Sequence, residues 1–393
     1  MKQHWRLDPA ITFLNHGSFG ATPREVLARQ DELRLQMERE PVRFFTRELE
    51  PLLDAARGEL AAFLGADPEG LAFVPNATAG VNAVLRSLDL DKYDELLVTD
   101  HEYNACRNAL EFVAAAAGAK VIVVEIPFPI AGPDAVVERV MERVTSRTRL
   151  FLIDHVTSQT AVVMPVERLV AEMQGRGIDT LVDGAHAPGM LPLDLRALRA
   201  AYYTGNLHKW VCAPKGSAFL YVRANRRPSV RPVAISHGAN STRTDRSRYL
   251  IEFDWTGTFD PTAVLAVPEA IRFVGSLLGG GWPEVMRRNR ELALRGRDIL
   301  ADALAVTPPV PDSMLGSMAA LPLPDGTATT APALYGDPAQ DALLEEHGIE
   351  VPIVPWPAPP KRLLRISAQL YNEEADYLRL AGALGELGLT GRK

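Results

Sequence analysis

Between about residues 50 and 222, short and continuously apolar runs alternate with longer amphipathic segments, and this alternation constrains the fold more than any other feature. Leu71-Ala-Phe-Val-Pro75, Leu96-Leu-Val-Thr-Asp100, Val121-Ile-Val-Val-Glu-Ile126, Leu150-Phe-Leu-Ile-Asp154 and Thr180-Leu-Val-Asp183 read as strands. Between them, 78–88, 104–118, 133–144 and 166–176 read as helices, the second closed by Gly118. Strands that are apolar on every residue must be covered on both faces. The pattern therefore predicts an α/β fold with a mostly parallel sheet under helices. Ala201-Tyr-Tyr-Thr204 and Ala218-Phe-Leu-Tyr-Val222 add further strands to it.

After residue 260 the texture changes. Segments 262–278 and 283–305 read as two long helices, and Thr307-Pro-Pro-Val-Pro311 as a rigid connector. Arg362-Leu-Leu-Arg-Ile-Ser367 reads as a strand ahead of a last helix over 373–387. The expected organisation has three parts: an arm and helix over 1–50 that pack on the small domain, a large domain over 51–260, and a linking helix with a small α+β domain over 261–393. No repeat of fixed period is present, so solenoids are set aside.

A net charge of −7, with scattered basic residues, argues against nucleic acid or an anionic membrane as partner. Two cysteines, Cys106 and Cys212, rule out a disulfide framework and fit a reducing cytoplasm, the expected location. No Cys/His cluster suggests a metal. The first residues lack the apolar core of a signal peptide, and no uncharged apolar stretch reaches ~18–20 residues.

In an open parallel sheet, ligands sit beyond the carboxyl ends of the strands, and four reactive segments fall there. Pro75-Asn-Ala-Thr-Ala-Gly80 joins a strand to a helix, so its backbone N–H groups can cup a phosphate with the Thr78 hydroxyl. A plain helix cap by Asn76 or Thr78 explains it as well. Tyr103, just past a strand, can stack on an aromatic cofactor or sit on a rim. Asp183 ends an apolar strand, where a lone carboxylate is costly and a protonated pyridine nitrogen would serve as its partner. A helix cap or metal site is the alternative, weakened because no second carboxylate lies nearby in sequence. His186, three residues on, can reach a phenolic oxygen. Lys209, between His208 and Trp210, suits a desolvated Schiff-base nucleophile better than an exposed turn, and Asn206 and His208 can hold phosphate oxygens. One cofactor, pyridoxal 5'-phosphate (PLP), accounts for all four segments.

Seven motifs give a resemblance: Leu14-Asn-His-Gly-Ser-Phe-Gly20, Asn76-Ala-Thr78, Asp100-His-Glu-Tyr-Asn-Ala105, Asp183-Gly-Ala-His-Ala-Pro-Gly189, Gly205-Asn-Leu-His-Lys-Trp210, Trp255-Thr-Gly-Thr258 and Leu364-Arg-Ile-Ser-Ala-Gln-Leu-Tyr-Asn372. With them the chain resembles the class V aminotransferase family of fold-type I PLP enzymes, on the branch that contains isopenicillin N epimerase. The resemblance implies a large domain with a sheet of the seven-stranded type and a small C-terminal domain. It implies that Lys209 forms the Schiff base, Asp183 pairs with the pyridinium and His186 contacts the phenolic oxygen. Tyr103 falls where many relatives stack a histidine. Ala77, Thr78, Asn206 and His208 would hold the phosphate, and Ser158 would touch a cofactor oxygen. Thr258 would reach the phosphate of a neighbouring subunit, which implies a homodimer with shared sites. Arg365 would clamp the substrate carboxylate with its bidentate fork, and Asn15 would line the entrance.

Several reactions share the external aldimine as a starting point. Epimerisation at Cα needs a second acid/base, with Tyr103, His237 or a group of the partner chain as candidates. β-Elimination from an S-substituted cysteine, as in a C–S lyase, needs one base. Transamination or deamination stands behind both, and a cofactor-binding regulator without catalysis is the non-enzyme alternative. No cysteine follows Cys212, which disfavours persulfide transfer through a late mobile cysteine. The Pro-rich run 351–360 either shapes the substrate pocket or is a stiff surface loop, and Arg243, Arg246 and Arg248 face either an acidic substrate tail or, the favoured reading, water.

Overall fold

The computed structural model describes residues 1–327 and 336–390. Short β1 (Thr12–Phe13) comes first, then β2 (Leu71–Val74), β3 (Glu95–Thr99), β4 (Lys120–Val124), β5 (Thr148–Asp154), β6 (Asp179–Asp183), β7 (Tyr202–Asn206) and β8 (Ala218–Val222). The last seven form one sheet in the order β2-β8-β7-β6-β5-β3-β4. The five strands from β7 to β4 run parallel, while β8 pairs antiparallel with both β7 and β2. The mostly parallel expectation therefore holds, with two antiparallel pairings at one edge.

Successive residues of the inner strands serve opposite cores. Leu97, Phe151, Ile153 and Val182 join one cluster; Leu96, Val98, Leu152 and Leu181 join the other. Each such buried side chain is worth about 1.5–3 kcal/mol relative to exposure, which is why these runs carry no polar face. Helices α1 (Arg24–Arg39), α2 (Leu49–Leu64), α3 (Ala77–Leu85), α4 (Asn104–Ala117), α5 (Pro133–Met141) and α6 (Val166–Gly175) precede or flank these strands. Asn76 caps α3, its Oδ1 accepting from Ala79 N at 2.8 Å, and Gly118 ends α4 at φ +73°.

The segment expected as one helix over 262–278 is two, Thr262–Leu265 and α7 (Val267–Ser276). Pro268 is the cause. It lacks an N–H and its ring clashes with the carbonyl four residues back, so it is accepted only in a first turn. After α8 (Gly281–Leu304), β9 (Met318–Leu323), β11 (Ile353–Pro355) and β12 (Arg362–Ser367) form an antiparallel sheet in the order β11-β12-β9. α8 packs on this sheet and on α9 (Glu374–Glu386). β1 pairs in parallel with β10 (Ile349–Glu350), whereas α1 packs on α7 and on the short helix before it. Among the described residues no single helix is long and apolar enough to cross a membrane.

Candidate active site

The chain leaves β3, adds β4 on one side and returns to place β5 on the other, so strand order reverses between β3 and β5. Such a reversal opens a crevice at the carboxyl ends of the strands. A cavity of ≈ 550 Å³ lies there, lined by Thr78, Tyr103, Asp154, Asp183, His186 and Lys209 among others. These residues come from the ends of β2, β3, β5, β6 and β7, and only the sheet brings them together.

Lys209 lies in the wall of this cavity. Burial, with the Arg365 charge, lowers its amine to about 8, which makes a neutral nucleophile accessible near physiological pH. Its Nζ lies 3.0 Å from His186 Nε2. Trp210 Nε1 donates to His186 Nδ1 at 3.4 Å, which puts the imidazole proton on Nε2. Burial, and then the Lys209 charge, hold His186 well below the usual imidazole range, so a neutral ring donates to the amine lone pair.

Asp183 is 1% exposed. Its Oδ1 accepts from Ala185 N at 2.9 Å and its Oδ2 from Cys106 Sγ at 3.0 Å, which fixes the carboxylate plane. Desolvation nevertheless raises it above the ordinary Asp value. A buried carboxylate in the wall of a cavity, held by neutral donors, calls for a cation, and a pyridinium fits. The Tyr103 N–H donates to Asp154 Oδ2 at 3.2 Å, so Tyr103 and Asp154 bridge the crevice itself.

The phosphate end is built less simply than expected. Asn206 Oδ1 accepts from Ala77 N at 2.8 Å, so these two residues satisfy one another and leave the Asn206 amide for the cavity. His208 Nδ1 donates to the Ser217 carbonyl at 3.0 Å, and burial lowers the ring to about 4. Its Nε2 is then an acceptor, and it must take up a proton to hold a phosphate oxygen. Thr78 lines the cavity in the first turn of α3, where free N–H groups and the helix dipole favour an anion.

Four residues named from the sequence lie outside the wall of this cavity. Arg365 and Asn15 do not line the cavity. Arg365 is 3% exposed and donates to Ser158 O at 2.7 Å, Ser158 Oγ at 3.3 Å, Ser18 Oγ at 2.6 Å and Asn15 Oδ1 at 3.3 Å. A buried guanidinium needs such acceptors, and they place it one layer behind Ser18 and Ser158, which do line the wall. Thr258 is exposed and absent from the cavity of its own chain. His237 lines a different cavity, beside Trp255.

Arg243 and Arg248 face water as expected while pairing with Glu50 and Asp245 and with Glu252, whereas Arg246 is largely covered between Asp54 and Asp254. Trp356 of the Pro-rich run packs on His101, with ring centroids 4.5 Å apart.

Sequence reasoning passed over Ser18, Asp154, Glu102 and Cys106. Asp154 carries the same signal as Asp183, an acid ending an apolar strand, and was open to the same argument. The view that no second carboxylate lies near Asp183 holds along the sequence and fails in space. Glu102 and Asp183 each have a carboxylate oxygen within 4.8 Å of the other and of Cys106 Sγ.

A buried lysine, a buried carboxylate and a helix N-terminus at the carboxyl ends of one sheet fit PLP, and the family comparison makes this a PLP-dependent enzyme. The aminotransferase class-V family model matches residues 15–325, and the chain belongs to that family. The chain is 40% identical to isopenicillin N epimerase of Amycolatopsis lactamdurans, covering 97% of this chain and 96% of the relative. It is 30% identical to L-cysteine desulfhydrase of Arabidopsis thaliana, covering 96% of this chain and 88% of the relative. A solved structure of a C-DES mutant with glycine covalently linked to its PLP cofactor superposes with a TM-score of 0.84 at 20% identity, over 98% of this chain and 99% of that one.

Proposed function

We propose that this enzyme epimerises a small amino-acid substrate at Cα, as a homodimer with shared active sites. The observation that carries the reading is the sheet order. Lys209 follows β7 and Tyr103 follows β3, on opposite flanks of the β6–β5 pair that ends in Asp183 and Asp154. Inversion requires a proton to leave one face of Cα and return to the other, and two proton carriers flanking one cavity suit that task. The similarity to a relative named isopenicillin N epimerase supports it.

Bound PLP supplies an electron sink for charge developing at Cα. Asp183 keeps the ring nitrogen protonated. Lys209 would hold the cofactor and, once free, would take the Cα proton at Nζ. The His186 Nε2–H would serve as a donor to the cofactor's phenolic oxygen. Ala77, Thr78, Asn206 and His208 hold the phosphate, with Thr258 of a neighbouring subunit. Ser158 and Ser18 carry the Arg365 charge to the substrate carboxylate, and Asn15 orients that guanidinium. Tyr103 returns the proton on the far face.

A second reading is C–S lysis of an S-substituted cysteine. It is favoured by Tyr103 being 40% exposed, as a rim residue would be, because elimination needs Lys209 alone. The holoenzyme incubated with D- and L-amino acids in deuterated water separates the two. Deuterium at Cα with inverted product supports epimerisation, and pyruvate released from S-substituted cysteines without inversion overturns it.

A further inference from the structure

Glu102 is buried at 5% exposure, and neither of its carboxyl oxygens meets a donor at full hydrogen-bond geometry among the described residues, the Tyr103 backbone N–H alone lying near enough to favour its ionised form. It is not part of the cavity wall. It stands behind Asp183, with one oxygen within 4.8 Å of an Asp183 oxygen and of Cys106 Sγ. A buried acid with two unmet oxygens is rare, and one aimed at a second acid is rarer.

The surroundings decide its charge. Asp183 faces it from β6 and Asp154 acts on it from β5, both with negative charge. Cys106 and Arg107 belong to α4, and the Arg107 Nε is engaged with Glu111 at 2.7 Å. Burial first, then Asp154 and Asp183, push Glu102 well above the usual carboxylate range. Three buried carboxyls this near one another, two of them in the cavity wall and one behind it, resist ionising together. The same burial pushes the Cys106 thiol up, and its hydrogen points at Asp183, so the group holds protons and offers no thiolate for a metal.

We propose that Glu102 is a positioning residue for the cofactor's ring nitrogen: a neutral acid behind Asp183 that gives up its own proton before the ring does. This rests on Asp183 facing that nitrogen. At neutral pH, Glu102 leaves Asp183 as the anion that meets the ring. As pH rises, the Glu102 O–H bond breaks and its proton passes to solvent base. The carboxylate left behind adds a second negative charge behind Asp183, so the ring N–H survives to higher pH.

The test is the ¹⁵N shift of ring-labelled PLP in the holoenzyme, followed with pH. In Glu102→Gln the ring nitrogen is expected to lose its proton at a pH lower by about one unit or more than in the wild type. Unchanged ring titration in Glu102→Gln overturns the proposal. Asp183→Asn tests the reading beneath it. If Asp183→Asn leaves the ring protonated as in wild type, that reading fails; if Asp183→Asn strips the proton and Glu102→Gln does nothing, only the proposal fails. The wild type supplies a further check that needs no variant to fold. Its infrared spectrum, at a pH where an ordinary glutamate is ionised, should still hold the carbonyl stretch of a protonated acid, and absence of that band overturns the proposal.

Discussion

Lys209 shows how far one desolvated side chain departs from solution chemistry. An ordinary lysine is neutral only above its value of 10.5, whereas this one turns neutral near 8. Only the neutral amine attacks an aldehyde. PLP loading of the apoenzyme is therefore expected to accelerate about tenfold per pH unit up to about 8 and then level off. Stopped-flow absorbance would read this, and a rise continuing past pH 10 would contradict it. Lys209→Ala should abolish the visible Schiff-base band while the protein stays folded by circular dichroism. His208 carries the opposite sign. Its ring is held near 4 and must be protonated to grip phosphate, so bound phosphate must raise it. His208→Gln, which keeps an amide donor without that proton uptake, should bind PLP with less dependence on pH, as equilibrium dialysis at several pH values would measure.

At the scale of elements, the N-terminal segment and the turn after β7 are locked together. Gly20 lies so close to this turn that an added Cβ would stand 2.7 Å from the Lys209 carbonyl oxygen and closer still to that of His208. Both obstacles are backbone and cannot rotate away. Gly20→Ala is expected to cost about 1–3 kcal/mol and to loosen cofactor retention at the same time, because the strain falls on the Lys209 turn. Thermal unfolding with and without PLP would show both effects, and loss of stability with full retention of cofactor would argue that the turn is not displaced. His16 helps fix the same contact, with one ring nitrogen at 2.9 Å from the Lys209 carbonyl and the other at 2.7 Å from Tyr371 Oη. The segment over 14–20 thus ties the small sheet's β12 to the catalytic turn, since Leu14 O also accepts from Ser367 N at 2.9 Å.

For the whole molecule, the proposed homodimer has a direct consequence. Phe19, Val233, Ile235 and Phe259 are exposed at 61%, 53%, 60% and 40%, and such apolar surface is usually covered in an assembly. Light scattering is expected to give twice the chain mass of 42.9 kDa. If Thr258 serves the neighbour's phosphate, Thr258→Asp and Lys209→Ala homodimers should each be inactive. Mixing and refolding them together should then restore activity, because each mixed dimer regains one site with an intact lysine and an intact threonine. Failure of this complementation, with mixed dimers verified by mass, would place Thr258 outside the shared site.

The sequence alone determined the features that are local or periodic. A strand buried on both faces must be apolar throughout, so β2 to β6 and their helices could be read within a few residues, and Asp183 and Lys209 stood out as polar residues where polarity is costly. Boundaries moved where chemistry acts over one turn, as at Pro268. The tertiary structure alone decided what depends on strand order. Residues 102 and 183 lie far apart along the chain, and nothing local says that β3 and β6 flank the same strand, β5. That order brings Asp154 and Asp183 to the cavity wall with Glu102 behind them. It also takes the folding of β12 against the N-terminal segment to set Arg365 behind Ser18 and Ser158. Burial and proximity set charge states, and both are properties of the folded neighbourhood, not of the residue that carries the charge.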